Sequence, residues 1–199
     1  MLDTERQKLL EHSGEYLSIG ITDSGEPVGI ISVPWEATAH AFNMKMPHVY
    51  ITPKDLQDAQ ITEEIERYTV IGCYIFTSLK DYSFLSRFNK IHDLSIKYGD
   101  NVRDLDFLEG LSECRMLYLE NACLKSLDTL VKVKKESTSP FRCLSCVGLY
   151  NCTVEDMSVV EHESVHFSEF LVWNPNENSA DSKDRYKHVS ANTLKYFSE

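Results

Sequence analysis

Apolar side chains recur along this chain in a six-place pattern: two residues three apart, a third two further on, then three more at steps of about three. The clearest copy places Cys114, Leu117 and Leu119 ahead of Leu124, Leu127 and Leu130. Ile91, Leu94 and Ile96 ahead of Val102, Leu105 and Leu108 repeat it, as do Leu144, Val147 and Leu149 ahead of Val154, Met157 and Val160. Weaker copies are Met46, Val49 and Ile51 ahead of Leu56 and Ala59; Tyr68, Ile71 and Cys73 ahead of Leu79, Tyr82 and Leu85; and Phe167, Phe170 and Val172. The second-place residues Val49, Ile71, Leu94, Leu117, Val147 and Phe170 fall 22, 23, 23, 30 and 23 residues apart. Alternation at period two predicts a short strand over the first three places, and steps of three predict a 3-10 turn or short helix over the last three. No single unit of this kind can bury its own apolar face. About six stacked units do so together, with a parallel sheet on one side and a continuous core inside.

The pattern divides the chain into 46–175, the stacked units, and two flanks. Residues 1–45 are expected to cover the open end: a helix over 1–13 with Leu2, Leu9 and Leu10 on one face, then strands at 16–21 and 28–33 around the turn Asp23-Ser24-Gly25-Glu26, forming a hairpin. Trp35 is expected as a packing anchor, and 36–42 as a short helix. The single long spacing of 30 is accounted for by Lys132-Val133-Lys134-Lys135-Glu136-Ser137-Thr138-Ser139-Pro140, read as a solvated loop. In 176–199, a polar linker leads to an apolar stretch, 186–197, expected to add a last strand over the sheet edge.

Cys114 through Leu124 and Leu144 through Val154 match L-x-x-L-x-L-x-x-N/C-x-L, with Cys152 in the Asn/Cys place. In this the chain resembles the leucine-rich repeat family, and is similar to its short bacterial and internalin-type repeats. The resemblance implies an α/β solenoid with a parallel sheet on the concave side and 3-10 turns or short helices on the convex side. It also implies a non-enzymatic recognition scaffold. Departures exist: Gly99, Ala122 and Pro175 occupy the Asn/Cys place elsewhere, while Asn121, Asn151 and Asn174 come one residue early, and so belong at the corner or outside.

At 199 residues with 42% hydrophobic side chains, the chain has the composition of one globular domain with a real core. It lacks an apolar run near the ~20 residues that span a bilayer. The first ten residues lack the apolar stretch of a signal peptide. A cytoplasmic protein is therefore expected, with its six cysteines reduced, since Cys73, Cys114 and Cys152 fall in core places. The net charge of −11 argues against nucleic acid and against an anionic membrane. It serves solubility, or favours a basic protein partner.

Cys143, Cys146, His162 and His166 have the C-x2-C, H-x3-H spacing of a tetrahedral zinc site. Against that stands the strand: two cysteines three residues apart along it are separated by ~10 Å, too far to share one ion. Cys146 with His166 as its base is the corresponding thiol-enzyme arrangement, but Glu161, Glu163 and Glu169 surround it and oppose a thiolate. No phosphate-cradling glycine loop or nucleophile elbow is present, and no cofactor is expected.

The outward positions of the sheet carry the remaining chemistry. One predicted column is Gly72, Ser95, Tyr118, Gly148 and Leu171; the next is Tyr74, Lys97, Glu120, Tyr150 and Trp173. Adjacent members of a column lie ~4.8 Å apart, so each column acts as one surface. Aromatic side chains give interfaces large rigid area with a polar tip. The expected binding residues are Tyr74, Ser95, Lys97, Tyr118, Glu120, Tyr150, Leu171 and Trp173, meeting a protein partner; the alternative is a zinc- or thiol-dependent enzyme at Cys143, Cys146, His162 and His166.

Overall fold

The structure is a computed structural model and describes residues 16–26, 28, 48–88, 90–136, 144–162, 165–175 and 179–197. It is an α/β arrangement built on one eight-stranded sheet. In spatial order the strands are β10 (Ser190–Phe197), β9 (His166–Trp173), β7 (Cys146–Tyr150), β5 (Met116–Glu120), β4 (Asp93–Ile96), β3 (Thr69–Ile75), β1 (Tyr16–Ile21) and β2 (His48–Ile51). Every neighbouring pair is parallel. Parallel neighbours need a crossover connection, and here short segments packed on one face of the sheet supply it. They include 3-10 turns at Ser83–Arg87 and Asp106–Gly110, and the helices α1 (Ala59–Ile65), α2 (Asp128–Glu136), α3 (Ser158–His162) and α4 (Ser179–Arg185). A second small sheet pairs β6 (Cys123–Ser126) with β8 (Thr153–Asp156), also parallel.

The inward row fixes the register. Val49, Ile19, Cys73, Leu94, Leu117, Val147, Phe170 and Leu194 are successive partners across the sheet. Leu117 and Val147 are fully buried, as are Leu124, Leu127 and Leu130 from the return segment. Burying a Leu or Ile side chain is worth about 1.5–3 kcal/mol, so the rows facing each other across this core are the main stabilising term.

In the β3 unit, the second-place residue is Cys73, not Ile71. Tyr68-Ile71-Cys73 and Val70-Cys73-Ile75 satisfy the same pattern, and the chain buries the latter set completely while Ile71 stays partly exposed. The slip is of two residues, so side chains keep their faces but change their neighbours.

A covering hairpin at 16–33 was expected; β1 is instead an interior strand, parallel to both β2 and β3. Its residues explain this. Leu17, Ile19 and Ile21 are fully buried on one face, and Ser18 and Gly20 are small on the other. The Tyr50 ring leans over Gly20 so closely that a Cβ there would meet it at 2.5 Å. Such a strand, covered on both faces, belongs inside a sheet. The helix expected over 1–13, the partner strand at 28–33 apart from Val28, Trp35 and the helix over 36–42 lie outside the described residues.

The Lys-rich stretch is also different: its first part is helix α2 rather than loop, and 137–143 lie outside the described residues. Asp128 N–H donates to Ser126 Oγ at 3.2 Å, starting the helix. Leu127, Leu130 and Val131 then give a buried stripe at helical spacing. Lys134 Nζ lies 5.5 Å from the centre of the Phe167 ring, within cation–π reach. At the far end β10 does add a strand, after the short helix α4 in the polar linker.

Candidate functional site

At the end of the strands the chain turns sharply toward its return segments, and asparagine serves the turn. Asn121 and Asn151 have φ of 63° and 49°, the left-handed region that Asn tolerates best after Gly. Asn151 Nδ2 donates to Asn121 Oδ1 at 2.7 Å, linking adjacent corners. Their backbone N–H groups donate onward to the Tyr150 and Trp173 carbonyls at 2.9 and 2.6 Å. One residue later Ala122 and Cys152 are buried, and Cys152 Sγ donates to the Tyr150 carbonyl at 3.2 Å. Asn121 and Asn151 therefore work as corner residues, with the small Ala122 and Cys152 behind them, whereas Asn174, expected at the corner or outside, is buried and has no positive φ. At Gly99 a Cβ would approach the Glu120 carbonyl oxygen to 2.8 Å.

These corners hold the strands in register and so order the sheet face opposite the return segments. Three outward rows cross it. The first runs His48, Ser18, Gly72, Asp93, Met116, Cys146, Glu169 and Thr193; the second Tyr50, Gly20, Tyr74, Ser95, Tyr118, Gly148, Leu171 and Lys195. A third contains Glu120, Tyr150 and Trp173. Lys97, one residue beyond the paired end of β4, comes next to Glu120 in that third row.

Of the predicted residues, Ser95, Tyr118 and Leu171 share one row, and Lys97, Glu120, Tyr150 and Trp173 share the next. Tyr74 belongs to the first of these sets, beside Ser95 and not beside Lys97, because of the two-residue slip in β3. For the same reason Gly72 neighbours Asp93. Asp93, Met116, Cys146 and Glu169 form a row that the two predicted columns omit. Period-two alternation applied two residues before Ser95, Tyr118, Gly148 and Leu171 finds it.

The face is half-buried and polar-aromatic. Tyr150 and Trp173 pack edge to face with ring centres 4.7 Å apart, and Trp173 is 39% exposed. Burial, with Asp93 and Cys73 adding repulsion, pushes the Tyr74 hydroxyl up to about 12, and burial with Glu120 raises Tyr118 as well. Asp93 is raised by burial, against the pull of His92 and Arg115; Glu120 is raised by burial, against the pull of Lys97.

The cysteine and histidine set does not converge among the described residues. Cys143 and the His162 side chain lie outside them. Cys146 pairs across the sheet with Glu169, while His166 meets Ser190 Oγ through Nδ1 at 2.8 Å and Asn192 Oδ1 through Nε2 at 2.9 Å. Among the described residues, no group of three or more His, Cys, Asp or Glu could hold a metal ion. Burial raises the Cys146 thiol, helped by Glu169 and Asp93, which disfavours the thiolate a nucleophile requires. Cys73, Cys114 and Cys152 are pushed up to about 12 by burial.

On the return side, a solvent-open groove of about 530 Å³ runs between the two 3-10 turns past Lys80, Asp81, Tyr82, Arg103, Asp104 and Phe107. Its lining carries both signs of charge. No helix among the described residues is long and apolar enough to cross a membrane. Comparison with protein-family models, with curated proteins and with solved structures gave no match to this chain.

Proposed function

We propose that the chain is a short leucine-rich-repeat-type solenoid that acts as a non-enzymatic recognition module, meeting a protein partner through the outward sheet face. The carrying observation is the ordered row of Lys97, Glu120, Tyr150 and Trp173 alongside Tyr74, Ser95, Tyr118 and Leu171, with the Tyr150 and Trp173 rings locked edge to face. Rigid aromatic area with polar tips, on strands that cannot shift without breaking the core, is what a hot spot needs. The solenoid reading draws support from the shared inward row, the stacked return segments and the asparagine corners. A cytoplasmic setting accords with reduced, buried thiols. A zinc- or thiol-dependent enzyme is the second reading, and the raised Cys146 thiol weighs against it.

Co-purification from the native cell with wild-type protein and with Tyr118→Asp, Tyr150→Asp and Trp173→Asp tests the proposal. Loss of the captured partner in all three, with unchanged circular dichroism, is expected. Capture undiminished in all three would refute the face.

A further inference from the structure

Asp93, Glu120 and Glu169 stand on the face at three separate points. Asp93 and Glu169 share a row, three strand spacings or ~14 Å apart, while Glu120 lies about four residues further along, a similar distance from Asp93. Met116 and Tyr118 lie between them, and Leu171 stands beside this area on the strand of Glu169; all three side chains carry apolar surface and no formal charge. All three carboxylates are partly buried, yet none makes a hydrogen bond or a close ion pair with any described residue. The cations nearest Asp93 do not neutralise it: His92 is held by Glu113 at 3.2 Å, and Arg115 exerts only a longer-range pull. Lys97 exerts the same kind of pull on Glu120, and burial prevails over it.

A carboxylate that has lost part of its hydration and gained no partner carries an uncompensated cost, which an incoming cation relieves. Most of an interface's energy comes from an apolar centre shielded at its edge, and charged groups at that edge select the partner. Here the apolar area is flanked by carboxylates at three points, with Lys195 beside Leu171 on the far side, on a chain of net charge −11.

We propose that this face takes a protein segment bearing an apolar anchor, seated on Met116, Tyr118 and Leu171, flanked by arginine or lysine side chains that pair with Asp93, Glu120 and Glu169. The inference rests on the reading of the sheet face as a protein-binding surface and names what that partner presents. In an extended segment, basic residues at i and i+4 span ~13 Å, which matches the separation of the carboxylates along the strands.

Selection of a random twelve-residue peptide library on immobilised protein tests it, using wild type, the triple variant Asp93→Asn/Glu120→Gln/Glu169→Gln, and Trp173→Asp, each checked for folding by thermal unfolding. The carboxamides keep the size and shape and remove the charge, exchanging one acceptor oxygen for an NH2 donor. Wild type is expected to enrich peptides carrying Lys or Arg on both sides of an apolar residue. The triple variant should bind those peptides at least roughly tenfold more weakly, the loss of one charge-assisted contact. Selected peptides without basic enrichment that are lost in Trp173→Asp would overturn the cation pairing while leaving the face in place. Peptides that bind Trp173→Asp and the triple variant as well as wild type, or no enrichment at all, would overturn both.

Discussion

At single residues, one atom can decide the cost of a position. Asn151 occupies the left-handed region and donates to Asn121. Asn151→Ala should lose both the tolerance and the bond, destabilising the fold by about 1–3 kcal/mol in denaturant unfolding, whereas Asn151→Gly should recover part of that. Gly99→Ala forces a Cβ against the Glu120 carbonyl, and overpacking of this kind costs about 1–3 kcal/mol. Asp93 behaves in the opposite sense. Its folded-state pKa is raised, so the folded state holds the proton more tightly and stability falls as pH rises through the window above the ordinary value of 3.8. Asp93→Asn should therefore raise the melting temperature at pH 7, with the gain shrinking as the pH is lowered toward 3.8. A gain equal at both pH values would contradict the burial argument.

Among the elements, the β3 register is the sharpest test of how much the sequence discloses. Leu94, Leu117, Val147 and Phe170 are legible as neighbours because each sits in a copy of the pattern with a single apolar solution. The β3 copy has two solutions, and packing settles the choice: Val70, Cys73 and Ile75 fill the core while Tyr74 folds over Gly72 on the other face. Cysteine labelling checks this. At pH 8, native Cys73 should resist alkylation, being fully buried with its thiol near 12, while the variant Ile71→Cys should gain a reactive site. The place of β1 was hidden for a different reason. Strand pattern and turn residues at 16–26 are local signals, but insertion between β2 and β3 depends on Gly20 admitting the Tyr50 ring, a contact with a residue thirty positions away. Helix α2 was hidden by the Lys-rich composition of 132–136, although Leu127, Leu130 and Val131 already carried helical spacing. The Asp93 row was legible from alternation alone. The sequence could not show that its carboxylates would have no partner among the described residues.

For the molecule as a whole, stability resides in rows that each cross the sheet, so damage to an inward residue should spread. Leu117→Ala, at a fully buried site with neighbours on two strands, should cost about 2–5 kcal/mol and broaden hydrogen exchange across β4, β5 and β7 together. Outward substitutions at Tyr150 or Trp173 should leave stability nearly unchanged and act on binding. That separation of an inward row that folds from an outward row that recognises is the central claim. Hydroxyl-radical footprinting of the protein with and without its co-purified partner tests it most directly. Labelling of Tyr150 and Trp173 should fall on binding while Tyr82 and Phe107, by the return-side groove, keep theirs. Protection of Tyr82 and Phe107 with Tyr150 and Trp173 still labelled would contradict it.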